Sequence, residues 1–260
     1  MRIGAYQFAV TGNIESNYAH IKAGIEKAFQ SGVRLLLFPE CAVTGYPPHC
    51  VAASADVDFD QVLHVHHQIQ ALSEQFQMYI VAGTMIKESE KYYNSAVVFC
   101  PNGKREVYSK RALWGWDREN FSQGHQAGVF HADSFTIGIR ICFEVRFPEY
   151  FRELYQAQTD LNLILFYDRT DQENPDRYRM IQGHIQTRAV ENVCYTLTCN
   201  TCAPCQTAPT GIFDRSGWMV NELEQGKEGL LLYHLEKTPL NFGELGRKEI
   251  SDSLLDGYRE

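Results

Sequence analysis

Residues 33–40 have the sequence VRLLLFPE, an apolar run of strand length that ends in a carboxylate, Glu40. Before this run, residues 13–30 carry large apolar side chains at helical spacing, and Gly32 ends the pattern. Residues 2–10 precede that helix and have the composition of another strand. The resulting strand–helix–strand order predicts an α/β fold in which helices are layered on a sheet.

The alternation of strands and helices continues along the chain. Residues 58–75 show a second helical pattern, which leads into the strand MYIVAGTMI at 78–86. Residues 95–110 predict a hairpin, because SAVVFC and REVYSK flank PNGK, whose Asn-Gly pair suits a tight turn. Further strands are expected for FTIGIRIC, LNLILFY, VCYTLTC and GLLLYHLE, with helices from about Phe147 and from about Pro175 to Val190.

No repeat, low-complexity segment or linker divides the 260 residues. We therefore expect a single domain over residues 1–238, followed by a tail or dimer arm over 239–260. The eight cysteines are interpreted as reduced thiols, since neither length nor N-terminus suggests a small secreted scaffold.

Charge and hydropathy exclude several classes of function. The net charge of -8 leaves no basic surface for a phosphate backbone, so nucleic-acid binding is not expected. No apolar stretch approaches the roughly 20 residues of a membrane span. The N-terminus MRIGAYQFAV lacks the apolar core and cleavage site of a secretion signal. The sequence therefore predicts a cytoplasmic protein.

Three chemically active residues lie where predicted strands end. Glu40 ends VRLLLFPE, Lys110 ends REVYSK and Cys142 ends FTIGIRIC. Functional side chains of α/β proteins gather at the carboxyl ends of strands. A thiol nucleophile, a carboxylate proton shuttle and an ammonium group for a developing oxyanion are together sufficient for acyl transfer. A nearby ammonium and a helix N-terminus are also expected to favour the thiolate of Cys142.

Each of these residues alone has an ordinary structural explanation, as a cap, a solvated strand end or a core thiol. The flanking segments are more specific. LLLFPECAVTGYPP, VYSKRAL and IRICFEVRFPEY resemble, in order and separation, the three signature segments of the nitrilase, or carbon–nitrogen hydrolase, superfamily. RAVENVCYTLTCN and GIFDRSGWMVNELEQGKEGLLLYHLE resemble later segments of that superfamily, so the resemblance covers most of residues 2–236.

The resemblance implies an amidase with a four-layer α-β-β-α sandwich that works without a metal or organic cofactor and assembles as a homodimer or larger homo-oligomer. It assigns Glu40 as general base, Lys110 as the cation that stabilises the oxyanion and Cys142 as nucleophile. A second glutamate follows the lysine in the family, and Glu119 in DRENFSQGH fits that position. Asp117 lies close enough to compete for this role.

The substrate stays open among amides, N-carbamoyl compounds and nitriles, and amide hydrolysis is the preferred interpretation. Loops after the strands are expected to bind it, and the candidates are Tyr46, Trp116, Phe143, Arg146 and Tyr167. Arg146 or Arg169 is a candidate partner for a substrate carboxylate, although a structural salt bridge is the more ordinary role for either. Glu144 or Asp117 could instead receive a cationic amine.

Three alternatives to this interpretation remain. The spacing of Cys199, Cys202 and Cys205 in CNTCAPC is similar to that of thiolate metal ligands, but no fourth ligand is evident. His64 and His67 lie three apart on a predicted helix, where a solvated face is the simpler explanation. A non-catalytic ligand-binding or scaffold protein of the same fold is the third alternative, and the complete set of reactive groups argues against it.

Overall fold

Two six-stranded sheets form the centre of the computed structural model, which describes residues 1–257. The first sheet has the order β12-β1-β2-β3-β4-β5 and the second has the order β11-β10-β9-β8-β7-β6. The strands are β1 (Arg2–Gln7), β2 (Leu35–Leu37), β3 (Tyr79–Glu88), β4 (Lys91–Phe99), β5 (Arg105–Ser109), β6 (Val129–Ala132), β7 (Phe135–Ile141), β8 (Leu161–Leu165), β9 (Tyr195–Cys199), β10 (Gly211–Phe213), β11 (Met219–Glu222) and β12 (Gly229–His234). In each sheet the three parallel strands, β1-β2-β3 and β7-β8-β9, lie side by side and antiparallel strands extend them.

Six α-helices lie within the described residues 1–257. They are α1 (Ile14–Gln30), α2 (Phe59–Phe76), α3 (Trp116–Asn120), α4 (Pro148–Gln156), α5 (Pro175–Glu191) and α6 (Phe242–Gly257). One core joins α1 and α2 to the first sheet, a second fills the space between the two sheets, and a third joins α4 and α5 to the second sheet. The layers therefore follow one another as α-β-β-α, which confirms the predicted fold.

Local sequence signals explain where the helices begin. The side chains of Asn13, Asp58 and Asn174 each accept a hydrogen bond from a backbone N–H in the first turn of α1, α2 and α5. Such N-caps satisfy donors that have no partner within the helix. Pro148 and Pro175 occupy first-turn positions, where a missing N–H costs no hydrogen bond.

The sequence patterns did not predict three elements, which are β6, α3 and α6. The first two are only four and five residues long, too short for a periodic signal. Helix α6 lies within the predicted tail or arm, and the last three residues of that segment lie outside the described residues. The helix contacts the domain through polar groups: Tyr155 donates to the Lys248 carbonyl at 3.2 Å, and Arg247 donates to the Val190 carbonyl at 3.1 Å.

Among the helices of residues 1–257, none is long and apolar enough to cross a membrane.

Candidate active site

The two sheets bring Glu40, Lys110 and Cys142 together at one edge, although 102 positions separate the first from the last in the sequence. Glu40 lies just after β2, Lys110 directly after β5 and Cys142 directly after β7. The Lys110 Nζ lies 2.9 Å from the Glu40 Oε1, and both side chains are buried. Cys142 is near enough that Glu40 and Lys110 each shift the pKa of its thiol. The strand ends therefore converge as the sequence predicts.

Hydrogen bonds from both sheets hold the Glu40 carboxylate in place. Asn94 on β4 donates its Nδ2 to Oε1 at 2.7 Å, and the Tyr167 backbone N–H donates to Oε2 at 2.8 Å. The Glu40 backbone N–H donates to the Phe166 carbonyl at 3.2 Å. Tyr167 and Phe166 follow β8 in the second sheet, so this one residue joins the two sheets. A carboxylate restrained on both oxygens is preorganised for proton transfer.

The second carboxylate that pairs with Lys110 is Asp117, which the sequence had left open as the alternative to Glu119. Asp117 Oδ2 lies 2.8 Å from Lys110 Nζ, whereas Glu119 is exposed on α3 and has no ion-pair contact with Lys110. Residues two apart on a helix point about 200° apart around its axis, so only one of the two can face inward. Tyr46 holds the Asp117 side chain in this inward orientation by donating its hydroxyl to Oδ1 at 2.9 Å.

Cys142 occupies a sharp turn between β7 and a short 3₁₀ helix, Cys142–Arg146. Its φ of 47° is in the left-handed region, which costs a non-glycine residue about 1–2 kcal/mol. The fully buried Glu144 stabilises this turn by accepting the Ile141 N–H at 2.7 Å. Its other oxygen accepts the Arg111 N–H at 2.7 Å, next to Lys110. Glu144 therefore links the cysteine turn to the lysine segment, and it is not open to a cationic substrate as the sequence had suggested.

Burial and charge decide the protonation states in the site. Burial raises the pKa of Glu40, and Asp117 raises it further against the lowering effect of Lys110. Burial alone would lower the pKa of Lys110, but the Asp117 and Glu40 carboxylates outweigh that effect and hold it well above its ordinary value. Lys110 is therefore a cation, and the Glu40 carboxylate binds a proton more readily than an exposed glutamate does.

The thiolate form of Cys142 is not favoured in the resting site, contrary to the expectation from sequence. Burial and the Glu40 carboxylate raise the pKa of this thiol well above its ordinary value, and Lys110 only partly opposes them. Two carboxylates surround one ammonium, so the fixed charge near the sulfur is net negative when Glu40 and Asp117 are ionised. The thiol therefore needs a base, and Glu40 is the neighbouring group able to serve.

Two glycines permit the close backbone approach that this site requires. A Cβ on Gly83 of β3 would lie 2.3 Å from the Pro39 carbonyl oxygen and 2.6 Å from the Glu40 Cα. A Cβ on Gly124 would lie 2.1 Å from the Ser109 carbonyl oxygen, immediately before Lys110. Only glycine fits at such distances. Gly83 and Gly124 therefore allow the backbone to pack closely against the segments that carry Glu40 and Lys110.

Three of the predicted substrate-binding residues, Tyr46, Trp116 and Tyr167, form an aromatic group with His49. The rings of Tyr46 and Tyr167 stack with centroids 5.2 Å apart, and His49 lies 5.0 Å from Trp116. The group contacts the charged centre twice, through the Tyr46 hydroxyl on Asp117 and the Tyr167 N–H on Glu40. It therefore forms an apolar wall beside the reactive groups.

The other two predicted residues, Phe143 and Arg146, lie together beyond the cysteine turn. The Arg146 Cζ is 5.6 Å from the Phe143 ring centroid. Phe143 also lines a cavity of about 500 Å³ whose walls include Trp114 and Phe147. This cavity is open to the surface beside the lysine and cysteine segments and is of suitable size for a small ligand.

No group of three or more His, Cys, Asp or Glu side chains within residues 1–257 is arranged to hold a metal ion. Cys199 is buried and its thiol donates to the Tyr6 carbonyl at 3.3 Å, while His64 and His67 are exposed on α2. The structure therefore gives no support to either metal-site alternative. Sequence patterns gave no signal for Asn94, whose side-chain amide donates to Glu40 and accepts a hydrogen bond from the thiol of Cys41.

Comparison with known proteins adds an independent line of support. The family model described as carbon-nitrogen hydrolase matches residues 2–237. A deaminated glutathione amidase of Synechocystis is 28% identical over 222 residues, covering 78% of this chain and 76% of that protein. A nitrilase of Pyrococcus abyssi is 29% identical over 202 residues, covering 71% and 68% respectively.

Solved structures with the same fold include the amidase of Nesterenkonia sp. AN1. One structure has a TM-score of 0.81 at 22% identity and covers 99% of both chains. A variant of that amidase bound to butyramide has a TM-score of 0.79 at 23% identity, with 89% of each chain covered. In another variant the acetamide moiety of fluoroacetamide is attached to the active-site cysteine. At this level of identity the likeness concerns the fold.

Proposed function

This chain belongs to the carbon–nitrogen hydrolase family, and from that premise we propose that it hydrolyses the amide bond of a small molecule through a thioester on Cys142. The observation that carries the proposal is the buried ion-pair cluster of Glu40, Lys110 and Asp117 beside the turn that bears the thiol. A restrained carboxylate, a permanent cation and a nucleophile are the groups that acyl transfer requires.

In the first half of the reaction, Glu40 takes the thiol proton while the Cys142 sulfur attacks the amide carbon. Negative charge then develops on the carbonyl oxygen, where the Lys110 ammonium and the Phe143 backbone N–H stabilise it. Glu40 returns the proton to the nitrogen as the carbon–nitrogen bond breaks. Ammonia or an amine leaves, and the acyl group remains bound to the sulfur as a thioester.

In the second half, Glu40 takes a proton from water as the water oxygen attacks the thioester carbon. The same oxyanion partners act again, the carbon–sulfur bond breaks, and the proton passes to the sulfur. The products are a carboxylic acid and the restored thiol. Asp117 keeps Lys110 charged and oriented throughout, the role that the sequence had given to Glu119.

An amide is the preferred substrate because the relatives include amidases and because the charged cluster supplies a proton to a departing nitrogen. N-carbamoyl compounds and nitriles present a similar electrophilic carbon and are the alternatives. A non-catalytic scaffold is disfavoured, since burying three ionised groups without a chemical use costs stability that a packed apolar core would not.

The test is an ammonia-release screen against monoamides, N-carbamoyl compounds and nitriles, with intact-protein mass spectrometry of the acyl-enzyme. We expect release from amides, an acyl adduct on Cys142 and loss of both in Cys142→Ala. Cys205→Ala is the matched control, since Cys205 is a half-buried thiol with a similar left-handed φ of 61°. The absence of ammonia release from all three substrate classes, or an acyl adduct on another residue, would contradict the proposal.

We also propose that the chain forms a homodimer or a larger homo-oligomer. Four large apolar side chains are exposed on α6, with Phe242 at 96% and Ile250 at 64% exposure. Exposed apolar surface of this kind favours association. Light scattering after size-exclusion chromatography tests this, and a monomer at micromolar concentration would contradict it.

A further inference from the structure

Glu144 is a fully buried carboxylate, and within residues 1–257 it forms no ion pair. Arg111 and Arg140, which belong to the two segments that it joins, both pair with Glu153 instead. A buried charge without a counter-ion is costly unless hydrogen bonds satisfy it. The donors that satisfy Glu144 therefore show which parts of the site this charge holds in place.

These donors come from both segments that carry reactive groups. The Oε2 of Glu144 accepts the Ile141 N–H at 2.7 Å, directly before the cysteine. Its Oε1 accepts the Arg111 N–H at 2.7 Å, directly after the lysine, and the Tyr108 hydroxyl at 2.7 Å. Ile141 ends β7 of the second sheet, whereas Tyr108 lies on β5 of the first. One buried side chain therefore joins the cysteine turn to the lysine segment across the two sheets.

The proposed oxyanion site lies between the same two segments. Its donors are the Lys110 ammonium and the Phe143 backbone N–H, and Phe143 follows a cysteine whose φ of 47° is left-handed. Glu144 comes directly after Phe143, and the Phe147 N–H donates to the Glu144 carbonyl at 3.1 Å. The Glu144 carboxylate meanwhile holds the residue next to Lys110. A change in this one side chain would therefore move one oxyanion donor relative to the other.

We propose that Glu144 is a positioning residue that fixes the distance between the Lys110 ammonium and the Phe143 N–H. The inference rests on the proposed amide hydrolysis, because it concerns the charge that develops during that reaction. Glu144 acts through the backbone of the two segments rather than by contact with the substrate. Preorganised donors stabilise the transition state more than the bound substrate, so Glu144 should affect kcat much more than KM.

Glu144→Gln keeps the shape of the side chain but cannot satisfy its donors. An amide offers one oxygen and one NH₂ group, so either orientation turns a glutamine N–H toward a backbone N–H. We expect kcat for pentanamide hydrolysis to fall about 10- to 100-fold, with KM within threefold. If the wild type prefers another amide, that amide and the aldehyde of the same carbon skeleton replace pentanamide and pentanal.

Pentanal tests the same geometry without turnover. The Cys142 sulfur adds to its carbonyl carbon, and the thiol proton passes to its oxygen, which then lies where the oxyanion would develop. The Ki of pentanal should therefore rise about 10- to 100-fold in Glu144→Gln. Pentanamide binding to Cys142→Ala, measured by calorimetry, should change by less than threefold when Glu144→Gln is added. A general loosening of the fold would weaken both ligands.

Ile25→Val and Tyr108→Phe complete the set. Ile25 is a fully buried residue of α1. Its shortening should lower the urea midpoint and keep kcat within twofold, which controls for lost stability. Tyr108→Phe removes one donor from Glu144 but keeps both backbone contacts, so kcat should fall about 3- to 10-fold with KM unchanged. This variant tests the inference even if Glu144→Gln does not fold.

Several results would overturn this inference alone. They are a wild-type kcat in Glu144→Gln or in Tyr108→Phe, an unchanged Ki for pentanal in Glu144→Gln, an equal loss of kcat and of pentanamide binding, and a kcat loss in Ile25→Val that matches the one in Glu144→Gln. If the wild type releases ammonia from no amide, the proposed function is overturned as well.

Discussion

Lys110 and Asp117 form a buried ion pair, with Nζ and Oδ2 2.8 Å apart, on a segment where sequence resemblance pointed to Glu119. Asp117→Asn keeps the shape and the contact with Tyr46 but removes one of the two carboxylate charges that raise the pKa of Lys110. We expect kcat for amide hydrolysis to fall about 100- to 1,000-fold. Steady-state ammonia release is the measurement.

Glu119→Gln is the matched control for that change, because the residue lies on the same short helix and is exposed. It should keep kcat within twofold. A larger loss in Glu119→Gln than in Asp117→Asn would show that the resting geometry does not identify the functional carboxylate.

Glu40→Gln should separate thiol reactivity from catalysis. After burial, the Glu40 carboxylate is the main cause that raises the pKa of the Cys142 thiol, so removing its charge lowers that pKa. We expect modification by methyl methanethiosulfonate at neutral pH to become about tenfold faster, while amide hydrolysis falls at least about 1,000-fold. If modification becomes slower, Glu40 does not oppose the thiolate.

Gly83→Ala and Gly183→Ala should have opposite effects on stability. The added methyl at position 83 meets the Pro39 carbonyl oxygen at 2.3 Å, so we expect the free energy of unfolding to fall by about 2–3 kcal/mol, with a loss of activity. At position 183, within α5, nothing lies within 4 Å. There alanine should stabilise the protein by about 0.5–1 kcal/mol. Urea unfolding measures the change in the free energy of unfolding for each variant. Equal changes in the two variants would refute the packing argument.

His66 should make stability depend on pH. Burial, with smaller effects from Arg105 and His67, lowers the pKa of His66 from 6.5 to about 4. Between these values the unfolded chain binds a proton that the native protein does not, so stability is highest above pH 6.5 and falls as the pH drops toward 4. The slope due to this residue reaches at most about 1.4 kcal/mol per pH unit.

Urea unfolding of His66→Gln over that pH range should show a shallower dependence, even though the variant loses packing against Phe99. His64→Gln on the exposed face of α2 is the control and should keep the wild-type slope. An unchanged slope in His66→Gln would show that His66 is not the group responsible.

Much of the fold was predictable because its signals are local. Helical spacing and the caps Asn13 and Asp58 located α1 and α2, and apolar runs located the central strands. The family match over residues 2–237 confirms the resemblance seen in the signature segments and the enzyme class that it implied. Elements of four or five residues, β6 and α3, carry no periodicity and were missed.

The site was predictable only in part, because its properties depend on contacts between distant residues. Strand ends identified Glu40, Lys110 and Cys142, and the structure brings them together. The choice between Asp117 and Glu119 depends on the orientation of a single helical turn, which spacing does not reveal. The pKa of Cys142 likewise depends on three carboxylates, those of Glu40, Asp168 and Asp117, and Asp168 had not been assigned to the site.

The contact between Glu40 and the Tyr167 backbone has a consequence for the order of events during refolding. Glu40 and Lys110 belong to the first sheet, while Cys142 and Tyr167 belong to the second. Neither sheet alone contains all the groups of the proposed reaction centre. Hydrolysis should therefore return only after the two sheets have docked in register. The rate at which activity recovers would then report the rate of that docking rather than the rate at which secondary structure forms.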